Sequence, residues 1–525
     1  MSRRFNTAGP CDPLHHYMIP ALSRLPQAPG LVDQGGYFVV HAPRQTGKTT
    51  ALSALATELT AGGRYAALHF SCEQAAPAED DYAEAQRSIL GEIRERARLT
   101  LPENLRPPAW PSAPDANLLK DGLTAWAELC PRPLVLFFDE IDAVRGQSLL
   151  SVLRQLRTGF PSRPAAFPMS VVLCGLRDVR DYKAASGGDP TRLGTASPFN
   201  IKLESLRLGD FTFDEVAELY GQHTAETGQV FAPGAVEHAF GLTGGQPWLV
   251  NALAREVVEK LQVPPSEPIT VDHLEEAKER LILARATHLD SLAAKLAEPR
   301  VQKVLGPVLA GDVLVLEPYD DDVSYVRDLG LIAPKAPVRV ANPIYREIIV
   351  RVLSSQVQES VTADPRSFVR ADGTFDVAKM LAEFADFWME HGEVLTSGGF
   401  YNEASPQIVL MGYLQRVVNG GGYVEREYGV GSGRVDLHIR WPYDGPGSTR
   451  HVQREALELK VWRAGRANPL PTGLKQLDRY LDRLGLDTGT LIVFDQRPDA
   501  PDITERTAIT TTTSPAGRTI TLLYA

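Results

Sequence analysis

Cysteine is scarce. The 525 residues contain four, Cys11, Cys72, Cys130 and Cys174, and they are widely scattered. Such spacing argues against a disulfide framework or a zinc cluster and for a reducing, cytoplasmic setting. Cys11 lies near His15 and His16, but no second ligand pair follows at zinc spacing. Long apolar runs are missing too. None approaches the roughly 20 residues that cross a bilayer, so no membrane partner is expected. Met1-Ser2-Arg3-Arg4-Phe5 has two arginines and no apolar stretch behind them, so no signal peptide is expected. Positive charge is not in excess. The formal net charge of −11 is unlike that of a constitutive DNA binder. Neither an internal repeat nor a low-complexity tract is visible.

What is present is ordinary globular composition, 43% hydrophobic and 23% charged, in a chain too long for one core, so three or more domains are expected. Before about residue 205, apolar strand-like runs (Tyr37 to Val40, Tyr65 to Phe70, Leu134 to Phe138, Ser170 to Leu173) alternate with stretches of helical spacing (Thr49 to Leu59, Tyr82 to Ala97, Leu149 to Leu156). This alternation predicts an α/β fold with a mostly parallel sheet covered on both faces. From about 206 to 285 the strands stop. Thr212-Phe213-Asp214-Glu215 reads as a capping box opening a helix, and Thr243-Gly244-Gly245-Gln246-Pro247 as a turn feeding another from Trp248 to Val257. In 286–355, helical Val323 to Leu331 and Ile344 to Leu353 flank a predicted hairpin of Leu331-Ile332-Ala333 and Val338-Arg339-Val340, a winged-helix-like pattern. Residues 356–375 are polar and broken and read as a linker. Residues 376–525 read as a further α/β domain.

Two motifs carry chemistry. The strand ending at Val40 runs into Ala42-Pro43-Arg44-Gln45-Thr46-Gly47-Lys48-Thr49-Thr50. A loop of small residues between strand and helix aims several backbone N–H groups at one point, and the helix dipole adds to them, so the loop cradles phosphate. Lys48 is expected to contact the β- and γ-phosphates of ATP, and Thr49 to offer its hydroxyl to Mg²⁺. Ala42 stands where the usual pattern has glycine, so a strained φ there would cost more. Leu134-Val135-Leu136-Phe137-Phe138 ends in Asp139 and Glu140. Asp139 is expected to hold Mg²⁺ and Glu140 to polarise the attacking water.

The APRQTGKT loop, the FFDEID segment and the TGGQPW turn resemble those of AAA+-like ATPases, particularly their STAND and archaeal-ATPase relatives. The resemblance implies a P-loop parallel-sheet core over 1–205 and a helical lid over 206–285. It also implies that Gly245-Gln246-Pro247 contacts phosphate or sets the lid angle. Arg154, Arg157 and Arg177 are candidate arginine fingers or sensors, or ordinary surface arginines; His16 to Pro20 is either an adenine-pocket wall or core. The Asn or Thr sensor usual in such proteins is not found in Leu173 to Asp178.

The second motif is Gly431-Ser432-Gly433-Arg434-Val435-Asp436, then Glu458-Leu459-Lys460, then Gln476 and Tyr480. Strand-like Val435 to Ile439 and Ala456 to Val461 bring Asp436 and Glu458 onto neighbouring strands, and Gln476 and Tyr480 share a helix face. Asp436 and Glu458 are hard oxygen ligands suited to Mg²⁺ or Mn²⁺. Lys460 can orient or deprotonate water and stabilise developing negative charge. The set resembles the PD-(D/E)xK nuclease superfamily, with Val435 replacing the proline. The resemblance implies a C-terminal restriction-endonuclease-like α/β domain over 376–525. In it Glu403 is a further acidic ligand and Gln476 positions phosphate or water. From Gly431 to Arg483 basic residues outnumber acidic ones, which suits a phosphate backbone and equally a solvated helix face.

The expectation is an ATP-binding and hydrolysing protein whose nucleotide state gates a metal-dependent phosphodiesterase. Nucleic acid, DNA in the first place, is the expected partner, and a homo-oligomer is left open. The alternative is a nucleotide-switched scaffold whose last domain binds nucleic acid or protein without cutting.

Overall fold

A computed structural model describes residues 3–177, 199–284, 287–309, 320–397, 405–418, 421–430, 433–445 and 450–525. The apolar runs become β1 (Tyr37–His41), β2 (Ala66–Ser71), β3 (Leu134–Asp139) and β4 (Ser170–Gly175), joined by β5 (Lys202–Arg207) in a parallel sheet of order β2-β3-β4-β1-β5. Every residue of β3 and β4 is buried, as expected of strands covered on both faces. Alternate side chains serve the two faces. Phe38, Val40, Val135 and Phe137 pack on α1 (Ala28–Asp33) and α2 (Lys48–Ala61) through Leu31, Leu52 and Leu55. Tyr37, Val39, Leu136 and Phe138 pack on α3 (Tyr82–Thr100), α4 (Leu118–Leu129) and α5 (Gly146–Gly159). Three of these elements, α1, α4 and β5, escaped the sequence reading. β5 is an edge strand with exposed Leu203 and Glu204, paired only to β1, so it shows no apolar run. The helix α4 lies behind a proline-rich stretch, 107–114.

Among the described residues four α-helices follow, α6 (Phe213–Thr227), α7 (Ala235–Thr243), α8 (Pro247–Arg255) and α9 (Val271–Leu283), with a π-helical turn, Glu256–Lys260, continuing α8. The Thr212 hydroxyl accepts from the Glu215 N–H while the Glu215 carboxylate accepts from the Thr212 N–H, so the expected capping box is formed. With Ser324–Pro334 and Ala341–Ile344, residues 1–288 make one compact unit.

The second unit comprises Leu289–Val323, Lys335–Val340 and Tyr345–Ala525. Between the sheets the chain forms α10 (Thr287–Lys295), α11 (Pro299–Leu309), α12 (Asp321–Asp328) and α13 (Pro343–Ser360). The expected hairpin is not built. Ile332 and Val340 are single bridge residues and no strand forms among the described residues of this stretch. Pro334 and Pro337 lie between them and lack the N–H groups that a ladder needs. In 356–375 the chain finishes α13 and forms a 3-10 turn, and Phe368 and Phe375 are fully buried.

After α14 (Val377–Ser397) and α15 (Ser405–Val418) comes a mixed sheet of β6 (Tyr423–Val430), β7 (Gly433–Asp444), β8 (Arg450–Trp462), β9 (Thr488–Asp495), β10 (Ala508–Thr513) and β11 (Thr519–Tyr524). Its order is β10-β11-β9-β8-β7-β6. Here β6, β7 and β8 are antiparallel neighbours and β8, β9 and β11 are parallel. Between β8 and β9, α16 (Leu470–Leu484) crosses over and packs Leu474, Leu477 and Leu481 on Leu491 and Val493. Among the described residues no helix is long and apolar enough to cross a membrane.

Candidate functional site

The loop between β1 and α2 is left-handed at Gln45 (φ 58°) and Gly47 (φ 90°). Ala42 is not among the positive-φ residues, so replacing glycine there carries no backbone strain. Thr46 is buried and its hydroxyl donates to the Pro43 carbonyl at 2.9 Å. The Lys48 ammonium folds back onto the Ala42 and Pro43 carbonyls, 2.8 Å from each. Arg44 and Gln45 are exposed at the loop's crest. The Thr50 hydroxyl, one residue past Thr49, accepts from the Cys11 N–H at 3.1 Å.

The Thr49 hydroxyl donates to Asp139 Oδ2 at 2.7 Å, so the first turn of α2 meets the end of β3. Asp139 is 2% exposed. Two further donors surround it: His69 Nε2 on β2, at 3.0 Å, and the Glu140 N–H, at 2.9 Å. Burial pushes the Asp139 carboxyl up. The hydrogen bonds and charge of His69, with the Thr49 bond, outweigh that and bring it to about 2. The carboxylate is thus ionised and faces a hydroxyl, a pair of hard oxygens fitted to a divalent cation. Glu140 sits in the left-handed region at φ 55°, which costs a non-glycine residue, and its carboxylate accepts from the Ser71 hydroxyl. Burial raises the Glu140 carboxyl above its ordinary value, against that bond.

Beside the loop lies a cavity of about 130 Å³ whose lining includes Gln45, Gly47, Thr50 and Ala51. Tyr17, Met18 and Ile19 form part of its wall, whereas His16 does not. Helical residues Leu219, Trp248 and Asn251 close the other side. The TGGQPW turn reaches the loop directly: Gln246 caps α8 and its Nε2 donates to the Gln45 carbonyl at 3.4 Å. Gly245 is at φ 78° with the space for a Cβ filled by the Phe211 carbonyl, 2.0 Å away, so only glycine fits. Sequence reasoning missed several contributors. Arg24 donates to the Thr46 and Gly209 carbonyls and lies over the Phe211 ring. His69 and Ser71 hold the two carboxylates. Thr7 fixes Trp248 Nε1 at 2.9 Å. The isolated sequence gives no signal for these, because each partner is far along the chain. Of the candidate arginines, Arg154 and Arg157 are exposed on α5, and Arg177 stacks on Tyr325 at 3.7 Å. Cys174 stands at the end of β4, where the sensor was sought.

The second motif also converges, within its own unit. Leu437 pairs with Leu457 across β7 and β8, which sets Asp436 beside Glu458. Asp436 Oδ2 accepts from the Leu459 N–H at 2.8 Å. Lys460 Nζ is 2.6 Å from Glu458 Oε1 and 3.9 Å from Asp436 Oδ2. Glu458 is 1% exposed and, among the described residues, its Oε2 has no hydrogen-bond partner. Burial, then the Asp436 charge, push its carboxyl up to about 7 despite Lys460. In α16, Gly473 lies against Lys460: a Cβ there would be 3.3 Å from Cγ. One turn on, Gln476 Oε1 is buried without a partner among the described residues, while Tyr480 is part of the core. Glu458 Oε2, a buried hard oxygen, has the chemistry that a divalent cation takes, while Asp436 beside it is already bonded to the Leu459 N–H. Among the described residues no group of three or more His, Cys, Asp or Glu gathers at one metal-sized site. Glu403, Gly431 and Ser432 lie outside the described residues.

Neither a protein-family model nor a curated protein matches the chain. Solved structures do. A Walker-type ATPase of Pyrococcus abyssi is similar at 12% identity and a TM-score of 0.46, over 66% of this chain and 99% of its own. The RuvB Holliday junction branch migration motor of Thermotoga maritima is similar at 15% identity and 0.33, over 61% and 89%. The ORC2 protein of Aeropyrum pernix, in ADPNP-ADP complexes, is similar at 15% identity and 0.35, over 64% and 92%. These likenesses span 61–66% of this chain.

Proposed function

We propose that the chain binds ATP at the β1–α2 loop and hydrolyses it. The 2.7 Å contact of Thr49 with ionised Asp139 carries this reading. A strand–loop–helix that ends against a buried carboxylate supplies both a phosphate cradle and a cation ligand. Thr49 and Asp139 would hold Mg²⁺, which when bound draws charge from the phosphates. Lys48 would leave the Ala42 and Pro43 carbonyls for the phosphate oxygens. Glu140 would release Ser71 and orient water, its raised carboxyl bringing it nearer to a working base. The cavity lined by Tyr17 and Trp248 would take the base. In this reading residues 1–205 are the ATPase core, 206–285 the lid, 286–355 a connector, 356–375 a linker and 376–525 the effector domain, acting in the cytoplasm. Lys48→Ala is expected to weaken ATP binding about a hundredfold or more, from the loss of a charge-assisted contact. Glu140→Gln is expected to keep binding and lower turnover by a factor of about 10² to 10⁴. Unchanged ATP affinity in Lys48→Ala would sink the assignment.

A second activity is supported by the convergence of Asp436, Glu458 and Lys460. We read it as a metal-dependent phosphodiesterase centre, with Mg²⁺ or Mn²⁺ on the carboxylates, Lys460 and Gln476 ordering water and phosphate, and DNA as the first candidate substrate. Mg²⁺- or Mn²⁺-dependent nicking of a plasmid, with and without ATP, separates this reading from a non-cutting scaffold.

A further inference from the structure

We propose that His69 is a positioning residue for the cation: it fixes the plane of the Asp139 carboxylate in which the metal is taken. This inference rests on the nucleotide reading above and adds to it a residue on a strand outside the phosphate loop. β2 is apolar where it enters the core, with Ala66, Ala67, Leu68 and Phe70 buried. His69 breaks that run, and its side chain is 9% exposed. In the register of β2 and β3, His69 lies opposite Phe137 and Ser71 opposite Asp139. His69 and Asp139 therefore share one face of the sheet, a step apart on neighbouring strands. There Nε2 meets Asp139 Oδ2 at 3.0 Å. An ionised carboxylate only accepts, so the ring nitrogen donates. Nδ1 is buried and, among the described residues, has no hydrogen-bond partner. A leucine here would fill the strand without leaving a polar atom buried and unpaired. What the ring adds over an apolar side chain is the bond to Asp139.

The three donors on Asp139 are not equivalent. The Thr49 hydroxyl and His69 share Oδ2, and the Glu140 N–H takes Oδ1. Thr49 belongs to α2, the helix that carries the phosphate loop, and in the nucleotide reading its hydroxyl also faces the cation. His69 stands on β2 and the Glu140 N–H at the end of β3. With one donor on each oxygen, these two fix the rotation of the carboxylate about Cβ–Cγ independently of Thr49. An ionised carboxylate has about four lone-pair sites, so three donors leave one for the cation or its water. Without His69, Oδ2 is held by Thr49 alone, and the carboxylate has to be ordered when the cation binds. Groups that orient a metal ligand in this way set metal affinity without touching the metal.

The experiment titrates Mn²⁺ into the full chain with ADP bound, read by electron paramagnetic resonance, in the wild type, His69→Leu and His69→Gln. Beside it run ATP binding in EDTA and the Mg²⁺ dependence of ATP turnover. His69→Leu is expected to weaken Mn²⁺ by about 10- to 100-fold and to leave metal-free ATP binding within about threefold. The loss is expected again in the Mg²⁺ concentration for half-maximal turnover, and less in the rate at saturating Mg²⁺. His69→Gln keeps a side-chain donor of similar reach and is expected to recover Mn²⁺ affinity to within about fivefold of the wild type. An Mn²⁺ affinity unchanged or tightened in His69→Leu overturns the proposal while leaving the nucleotide site standing. So does an equal loss in His69→Leu and His69→Gln, which marks His69 as packing only. Failure of the wild type to bind either nucleotide removes the nucleotide site and this inference with it. If His69→Leu does not fold, His69→Asn, too short to reach Asp139, takes its place.

Discussion

The two acidic clusters solve one electrostatic problem in opposite ways. Asp139 and Glu458 are almost equally buried. Asp139 is ringed by donors from three elements and its carboxyl falls to about 2. Glu458 has one ammonium, a neighbouring carboxylate and a bare oxygen, and its carboxyl rises to about 7. The first is ionised well below neutral pH, and the second completes its ionisation only near neutral pH. Burial alone therefore does not set the charge of a buried carboxylate; the number of donors around it does.

The largest test of this contrast separates the two centres. A double Asp436→Ala, Glu458→Ala variant is expected to lose metal-dependent plasmid cleavage by about a thousandfold while keeping ATP turnover in the absence of nucleic acid. Undiminished nicking by the purified double variant would show that this cluster does not cut. Next in size is pH. Because Glu458 must shed its proton to ligate, Mn²⁺ affinity at this cluster is expected to rise about tenfold from pH 6 to pH 8 and to flatten above. Calorimetric titration of the wild type against Glu458→Gln measures it, and a pH-independent affinity contradicts the raised carboxyl. The same shift has a sign for stability. Folded Glu458 holds its proton up to about 7, whereas the unfolded chain releases it near its ordinary value. Metal-free wild type is thus expected to lose stability between those pH values relative to Glu458→Gln. A smaller effect is expected at the turn before α8. Gly245→Ala meets the Phe211 carbonyl at 2.0 Å with φ at 78°, and is expected to cost about 2–3 kcal/mol and to weaken ATP binding by moving Gln246. Smallest is Thr212→Ala, expected to cost about 1 kcal/mol through loss of the capping box with ATP affinity retained. Denaturant melts of the full chain rank the last two.

Much of this was legible in the sequence because it was local. β1 to β4, the loop, Asp139 with Glu140, and the capping box at Thr212 are contiguous patterns whose physics acts over a few residues. Asp436 beside Glu458 was legible for a related reason: two period-2 runs at a suitable spacing leave few registers. What was not legible was long-range or polar. β5 lacks an apolar face because it is an edge. The expected wing failed on two prolines that withhold N–H groups. His69, Ser71 and Arg24 act on partners 70, 69 and 22 residues away, and no window on the chain joins them.

Residue 330 packs against the loop between β1 and α2. Gly330 is at φ 79°, and a Cβ there would stand 2.8 Å from that of Pro43. The peptide after α12 thus lies flush on the outer side of the loop, at the one residue type thin enough to allow it. A residue larger than glycine at 330 would thus push on Pro43, and through it on the loop between β1 and α2.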